Sequence, residues 1–127
     1  MKPYILIADD EDDARLHLSS FLSRRFDCGL EQAKDGKETI EKLKNRPFDL
    51  VLLDMKMPHV SGLEVLGYIK DASPSTKTLI ISGYDDFKEE CLKKGADDFI
   101  AKPYDLEVLE TKINSLLNAK KEACRKT

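Results

Sequence analysis

The chain has few cysteines, no long apolar stretch and little excess of either charge. Its three cysteines, Cys28, Cys91 and Cys124, lie far apart and form no Cys-x-x-Cys pair. This spacing argues against a disulfide framework or a zinc site and is typical of a reducing cytosol, so we interpret all three as ordinary structural thiols. No run approaches the roughly 20 apolar residues of a membrane span, and the amino terminus lacks the apolar stretch of a signal peptide. We therefore expect a soluble, cytoplasmic protein.

The charge and the length narrow the class of protein further. The 21 basic and 24 acidic residues leave a net charge of −3, which provides no electrostatic footprint for nucleic acid. Direct nucleic-acid binding is therefore not predicted. The 127 residues match one domain of about 150 residues, and the 41% hydrophobic share is enough for a core without disulfides or a structural metal.

Short apolar runs alternate with segments of helical periodicity. Runs without helical spacing predict strands buried on both faces, and they lie at residues 4–8, 50–53, 78–81, 99–101 and, more weakly, 28–33. Apolar residues spaced i, i+3/i+4, i+7 predict helices. They form stripes at Ala14, Leu18, Phe21 and Leu22, at Ile40 and Leu43, and at Leu106, Leu109, Ile113, Leu116 and Leu117.

This alternation of strand and helix occurs five times and predicts an α/β fold. Such a chain forms one parallel sheet with right-handed crossovers and helices on both faces. The residues from 119 to 127 are basic and lose the apolar stripe. We therefore assign residues 1–118 to the domain and interpret 119–127 as a fraying helix end or the start of a linker.

Polar side chains follow the predicted strands at their carboxyl ends, where open parallel sheets bind their ligands. Strand one is followed by Asp9 and Asp10, strand three by Asp54, strand four by Ser82 and strand five by Lys102. Strand two ends without such a group, as expected for an edge strand in the order 2-1-3-4-5. The predicted site therefore straddles strands one and three.

The residue types at these strand ends indicate phosphoryl transfer around a divalent cation. Three crowded carboxylates repel one another unless a cation lies between them, and hard oxygen ligands suit Mg²⁺. Lys102 adds a positive charge that can bind phosphate, and Ser82 adds a hydroxyl that can donate to an oxyanion. Simpler interpretations are a loop lysine and a turn hydroxyl. We interpret the neighbouring acids Glu11, Asp12 and Asp13 as the acidic first turn of a helix.

Several strings, taken in their order and spacing, resemble a known family. They are Asp9-Asp10, LDMKMP at 53–58, GLEVL at 62–66, Ser82-Gly83 and GADDFIAKP at 95–103. Together they resemble the CheY-like receiver domain of bacterial two-component response regulators over nearly the whole chain. The resemblance implies a single doubly wound (βα)5, flavodoxin-like domain. It further implies a phosphorelay switch that takes a phosphoryl group from a sensor kinase's phosphohistidine, or from a phosphotransfer protein, onto Asp54.

The resemblance also implies a role for each site residue. Asp10 and Asp54 would bind Mg²⁺ directly, Asp9 would bind it through water, and Lys56 would contribute its backbone carbonyl. The resemblance also implies that Lys102 is a catalytic residue whose charge binds the phosphoryl group, and that a cis Lys102–Pro103 bond directs its side chain to the site. Ser82 and Phe99 would form the switch, with Phe99 in place of the common tyrosine that swings inward on activation. The alternative is that Phe99 is a permanently buried core residue. Lys56 and Tyr84 would tune the lifetime of the phosphoryl group. His17 in helix one is interpreted as an inert surface residue.

The expected protein is a signalling domain and not an enzyme in the usual sense, although it would catalyse its own phosphorylation and dephosphorylation. The resemblance implies an output protein or effector domain docking at residues 84–104 and helix five, and a homodimer on activation. One alternative is a small Mg²⁺-dependent phosphohydrolase with an aspartyl-phosphate intermediate, which usually needs a second acid where Lys56 stands. The other is a phosphorylation-independent pseudo-receiver, which would be expected to lack one of the acids or the lysine.

Overall fold

A computed structural model describes residues 2–57, 59–83 and 88–125, with residues 119–125 described as backbone only. Within these ranges strands and helices alternate along the chain. The strands are β1 (Tyr4–Ala8), β2 (Gly29–Ala33), β3 (Leu50–Asp54), β4 (Lys77–Ser82) and β5 (Asp98–Ala101). The helices are α1 (Asp12–Arg25), α2 (Gly36–Asn45), α3 (Gly62–Ala72), α4 (Lys88–Lys93) and α5 (Leu106–Arg125).

The strands form one parallel sheet in the order β2-β1-β3-β4-β5. This order confirms the predicted flavodoxin-like α/β fold and the edge position of β2. Strands β3, β4 and β5 are each longer than the apolar runs that predicted them. The reason is that polar end residues still pair with the neighbouring strand: Asp54 lies opposite Ile81, and Ser82 opposite Ala101.

Two apolar layers cover the sheet, because successive strand residues point to opposite faces. Along β1, Ile5 and Ile7 belong to the layer that contains core residues of α1 and α5, whereas Leu6 and Ala8 belong to the layer that contains core residues of α3 and Cys91 of α4. All four of these β1 residues are fully buried or nearly so. The two layers hold the carboxyl ends of β1, β3, β4 and β5 along one edge of the molecule.

Helix α5 differs in two ways from its predicted pattern. Leu106 is 37% exposed, because it lies at the first residue of the helix, ahead of the core positions Leu109, Ile113 and Leu117. The helix also continues through Arg125, so residues 119–125 of the predicted tail are helical. The boundary at residue 118 stays a prediction.

The described cysteines lie within the packed parts of the fold. Cys91 is buried and Cys28 is half-buried, and neither forms a disulfide. Burial raises the pKa of both thiols, which keeps them protonated at neutral pH. The side chain of Cys124 lies outside the described residues. In the described part of the chain, every helix is too short or too polar to cross a membrane.

Candidate phosphoryl-transfer site

Three carboxylates meet at the carboxyl ends of β1 and β3. Asp9, Asp10 and Asp54 each offer an oxygen, and these oxygens lie within 4.8 Å of one another. Asp9 is 3% and Asp54 8% exposed, whereas Asp10 is open to solvent. The Glu11 N–H donates to Asp9 Oδ1 at 2.9 Å, and the Lys56 N–H donates to Asp54 Oδ1 at 3.1 Å. The structure thus brings together the acids that the strand ends predicted.

Lys102 reaches the same carboxylates from the end of β5. Its ammonium nitrogen lies 3.2 Å from Asp9 Oδ2 and 3.5 Å from Asp54 Oδ2. Its backbone N–H donates to the carbonyl of Ser82 at 2.8 Å, which ties the lysine to the end of β4. The Lys102–Pro103 peptide bond is cis, as the resemblance implied.

The charges at the site oppose one another. The pKa of Asp54 is raised to about 6, chiefly by burial and further by the Asp9 carboxylate, while the Lys56 N–H and Lys102 lower it. Burial alone would lower the pKa of Lys102, but the Asp54 and Asp9 carboxylates outweigh this effect and raise it. Asp54 therefore ionises near neutral pH beside a lysine that stays charged.

An open cleft of about 470 Å³ lies over these groups and is lined by Asp10, Glu11, Asp54, Lys56, Gly83 and Lys102. Glu11 was predicted to lie in the acidic first turn of a helix, and this is wrong. It precedes α1 as the N-cap, its side chain makes no capping bond, and it borders the cleft. Asp12 and Asp13 do lie in that first turn.

The remaining predicted residues lie around this cleft or behind it. Ser82 is fully buried at the end of β4, and Phe99 is 5% exposed within the layer that also holds Cys91. His17 is exposed on α1, as its interpretation required. Tyr84, Pro58 and residues 84–87 of the predicted output region lie outside the described residues.

Sequence reasoning missed Arg15 of α1. Its Nη1 donates to the main-chain oxygen of Asp9 at 2.6 Å, and its side chain is only 11% exposed. In the sequence nothing separates it from Arg24 and Arg25, which are exposed on the same helix. Its contact with Asp9 depends on the turn of the chain between Asp9 and α1, which the sequence pattern does not reveal.

The donor set fits Mg²⁺. Its groups are three carboxylates with hard oxygen atoms, two of which line the cleft, and together they carry more negative charge than Lys102 neutralises. Mg²⁺ typically takes one or two carboxylates and keeps its other positions for water and phosphate.

Comparison with known proteins identifies the family. Residues 5–114 match the family model described as the response regulator receiver domain. The chain belongs to this receiver domain family. The response regulator protein PilR of Pseudomonas aeruginosa is 42% identical over 103 residues, which cover 80% of this chain and 23% of PilR.

Solved receiver domains have the same fold. A CheY-like receiver domain protein from Methanospirillum hungatei is 28% identical, with a TM-score of 0.91 over 97% of this chain and 99% of its own. The response regulator TrrA from Thermotoga maritima is 32% identical, with a TM-score of 0.84 over 92% of this chain and 100% of its own.

Membership in the family defines the general role. Receiver domains are signalling domains of two-component systems that respond to phosphorylation and act with kinases and output domains. The chain spans about half or less of the length of the curated relatives that it matches first. The activities of those whole proteins therefore bear on this chain only as proposals.

Proposed function

We propose that this receiver domain accepts a phosphoryl group on Asp54 from the phosphohistidine of a sensor kinase or phosphotransfer protein. The convergence of Asp9, Asp54 and Lys102 at the strand ends carries this proposal. Asp54 ends β3, a strand that lies between the strands preceding Asp9 and Lys102, and it lines the cleft. A carboxylate that is open to the cleft and has a lysine beside it suits the role of phosphoacceptor.

The transfer exchanges one bond to phosphorus for another. The phosphorus–nitrogen bond of the donor breaks as an Asp54 carboxylate oxygen bonds to phosphorus, and the imidazole nitrogen keeps the electron pair. Asp54 with a pKa of about 6 is mainly ionised above that pH and can attack. Lys102, 3.5 Å from Asp54 Oδ2, is close enough to neutralise charge on the transferring oxygens. Hydrolysis of the acyl phosphate by water would end the signal. The domain would thus catalyse both its own phosphorylation and its own dephosphorylation.

Asp10, Asp54 and the Lys56 carbonyl would hold Mg²⁺, with Asp9 acting through water. Asp10 and Asp54 both line the cleft, whereas Asp9 is buried and does not belong to its lining. This difference supports a direct role for Asp10 and an indirect one for Asp9. When bound, Mg²⁺ supplies positive charge that offsets the charge of the phosphoryl oxygens. The TrrA structure was determined in complex with Mg²⁺–BeF, and this supports a Mg²⁺ site in this chain.

The other assignments belong to the same proposal. Ser82 would donate its hydroxyl to a phosphoryl oxygen, and Ser82 with Phe99 would form the switch. Lys56, which borders the cleft, and Tyr84 would set the lifetime of the acyl phosphate. In the cytoplasm an output protein or effector domain would dock at residues 84–104 and α5, and a homodimer would form on activation.

Phosphoramidate, which carries the same phosphorus–nitrogen bond as phosphohistidine, tests the acceptor. With Mg²⁺ present, mass spectrometry should show one added phosphoryl group on the wild type and none on Asp54→Ala. Borohydride trapping should locate the modification at Asp54. Asp71→Ala, which removes an exposed acid of α3, is the matched control and should be labelled as the wild type is.

The results also separate the alternatives. Label on a residue other than Asp54 would overturn the acceptor assignment. Rapid turnover of free phosphoesters would favour a phosphohydrolase, and absence of any label with acetyl phosphate or phosphoramidate would favour a pseudo-receiver.

A further inference from the structure

The two neighbouring acids of the site require a turn in the chain between them. In a continued strand, successive side chains point to opposite faces of the sheet. Asp9 and Asp10 are successive, yet an oxygen of each lies within 4.8 Å of the other and of Asp54. Strand β1 ends at Ala8, and α1 begins at Asp12. The peptide that joins Asp9 to Asp10 therefore sets where the Asp10 carboxylate points.

Arg15 holds that peptide. The carbonyl of this peptide is the Asp9 oxygen, which accepts from Arg15 Nη1 at 2.6 Å. Strand β2 ends at Ala33, whose oxygen already accepts the Asp9 N–H at 3.1 Å. The backbone hydrogen bonds between β1 and β2 thus end at the Asp9 N–H. The next carbonyl along the chain, that of Asp9, accepts its hydrogen bond from the Arg15 guanidinium instead of from β2.

The guanidinium is itself held from several sides. Its Nε donates to Gln32 Oε1 at 3.3 Å, and Gln32 Nε2 donates to Ser19 Oγ at 2.9 Å. Its Nη2 pairs with the carboxylate of Asp12. Only 11% of its side chain is exposed. A planar fork of donors held in this way can fix the direction of the carbonyl that it contacts.

We propose that Arg15 is a positioning residue that orients the Asp9–Asp10 peptide and so sets the Asp10 carboxylate for Mg²⁺. This inference rests on the proposed function, because it concerns the same site. The positioning role and the charge of Arg15 predict opposite changes in Mg²⁺ affinity when the arginine is replaced. Removing a positive charge close to a cation site should strengthen Mg²⁺ binding by electrostatics, whereas loss of positioning should weaken it.

Mg²⁺ titrations of the whole chain, followed by amide NMR shifts, test the proposal on wild type, Arg15→Gln and Arg15→Lys. We expect Arg15→Gln to weaken Mg²⁺ binding about tenfold or more, the range usual for groups that orient metal ligands. Arg15→Lys keeps the charge and one donor to the carbonyl, so it should recover part of the affinity. Arg24→Gln is the matched control, because Arg24 is exposed on the same helix and its side chain donates to the main-chain oxygen of Ser20, away from the Asp9–Asp10 peptide. It should bind as the wild type does.

Thermal midpoints in EDTA show whether each variant is folded. If Arg15→Gln is unfolded, Arg15→Lys and Gln32→Ala replace it, because Gln32→Ala removes a group that holds the guanidinium and should also weaken Mg²⁺ binding. Equal or tighter Mg²⁺ binding by folded Arg15 variants, with normal binding by the wild type, would overturn the positioning role and leave the proposed function intact. Failure of the wild type to bind Mg²⁺ would instead overturn the metal site itself.

Discussion

At the scale of single residues, Asp54 combines burial with chemistry that needs its charge. The side chain is only 10% exposed, and burial raises its pKa from 3.8 to about 6. The folded state therefore holds a proton over a pH range in which the unfolded chain has already released it. This difference makes the Asp54 carboxylate a source of instability in the protein without metal.

Asp54→Asn tests this cost. Between about pH 4 and pH 6 the folded wild type binds more protons than the unfolded chain, so its free energy of unfolding should fall as pH rises through that window. The variant should lose this decline and gain about 1–3 kcal/mol of stability at pH 7.5. Urea unfolding in EDTA from pH 4 to 7.5 measures both quantities. Parallel pH profiles for the two proteins would contradict the raised pKa, and Asp71→Asn serves as an exposed control.

Asp10 carries the complementary prediction about the metal. Repulsion among the three carboxylates should make millimolar Mg²⁺ raise the thermal midpoint of the wild type by mass action. Asp10→Asn removes a charge and a ligand atom from the exposed member of the group, so most of that gain should disappear. Differential scanning calorimetry with and without Mg²⁺ measures it. An unchanged Mg²⁺ response in the variant would refute the assignment of Asp10 as a ligand.

At the scale of elements, apolar spacing predicted what packs in the core but could not find polar contacts between elements. The buried centres of β1, β3, β4 and β5 followed from their apolar runs, and strand-end residues such as Asp54 followed from their place after those runs. The role proposed for Arg15 could not be predicted in this way, because it depends on a turn between Asp9 and α1 that leaves no periodic pattern in the sequence. Leu106 matches the spacing of α5 yet remains exposed, since spacing cannot show where along a helix the contact with the sheet begins.

Helix α2 and the loop after β3 contact each other at a glycine. Asp35 caps α2 by accepting the Glu38 N–H at 2.8 Å, while Glu38 accepts the Lys34 N–H at 2.9 Å. This cap holds Gly36 against the loop that follows Lys56. A Cβ added at Gly36 would lie 2.2 Å from the oxygen of Val60, which is backbone and cannot rotate away.

Gly36→Ala should therefore displace this loop and weaken the site. We expect a loss of about 1–3 kcal/mol of stability from overpacking, together with weaker Mg²⁺ binding through the Lys56 carbonyl. Gly67→Ala is the control, because a Cβ there meets no atom within 4 Å among the described residues and α3 gains a better helix former. It should be neutral or stabilising by up to about 1 kcal/mol. Urea unfolding and Mg²⁺ titration measure both effects; a Gly36→Ala protein that matches Gly67→Ala in both would show that the loop gives way without cost.

At the scale of the whole molecule, one apolar layer extends from the residue after Asp54 to β5 at the edge of the sheet. Met55 directly follows Asp54, and its sulfur lies 3.5 Å from the sulfur of Cys91, the buried residue of α4. Both belong to the layer that contains Phe99 of β5. The Phe99 ring lies inward here, which is the orientation that the resemblance assigns to the activated switch, and its movement stays a prediction.

Phosphorylation of Asp54 should be transmitted through this layer. The phosphoryl group adds about −1.5 to −2 charges at the strand ends and three acceptor oxygens, and the Ser82 hydroxyl at the end of β4 can turn toward one of them. Movement of Ser82 changes the space beside β5, because Ser82 and Ala101 are paired and Phe99 lies two residues earlier. The Phe99 ring is already buried, so the change expected around it is a repacking and not a gain in buried surface. A beryllofluoride complex, which imitates the acyl phosphate, should therefore move amide NMR signals across residues 84–104 in the wild type. It should move them far less in Ser82→Ala, while Ser23→Ala, an exposed serine of α1, should respond as the wild type does. If the shifts stay at the residues around Mg²⁺, or if Ser82→Ala responds fully, the signal leaves the acceptor by another surface.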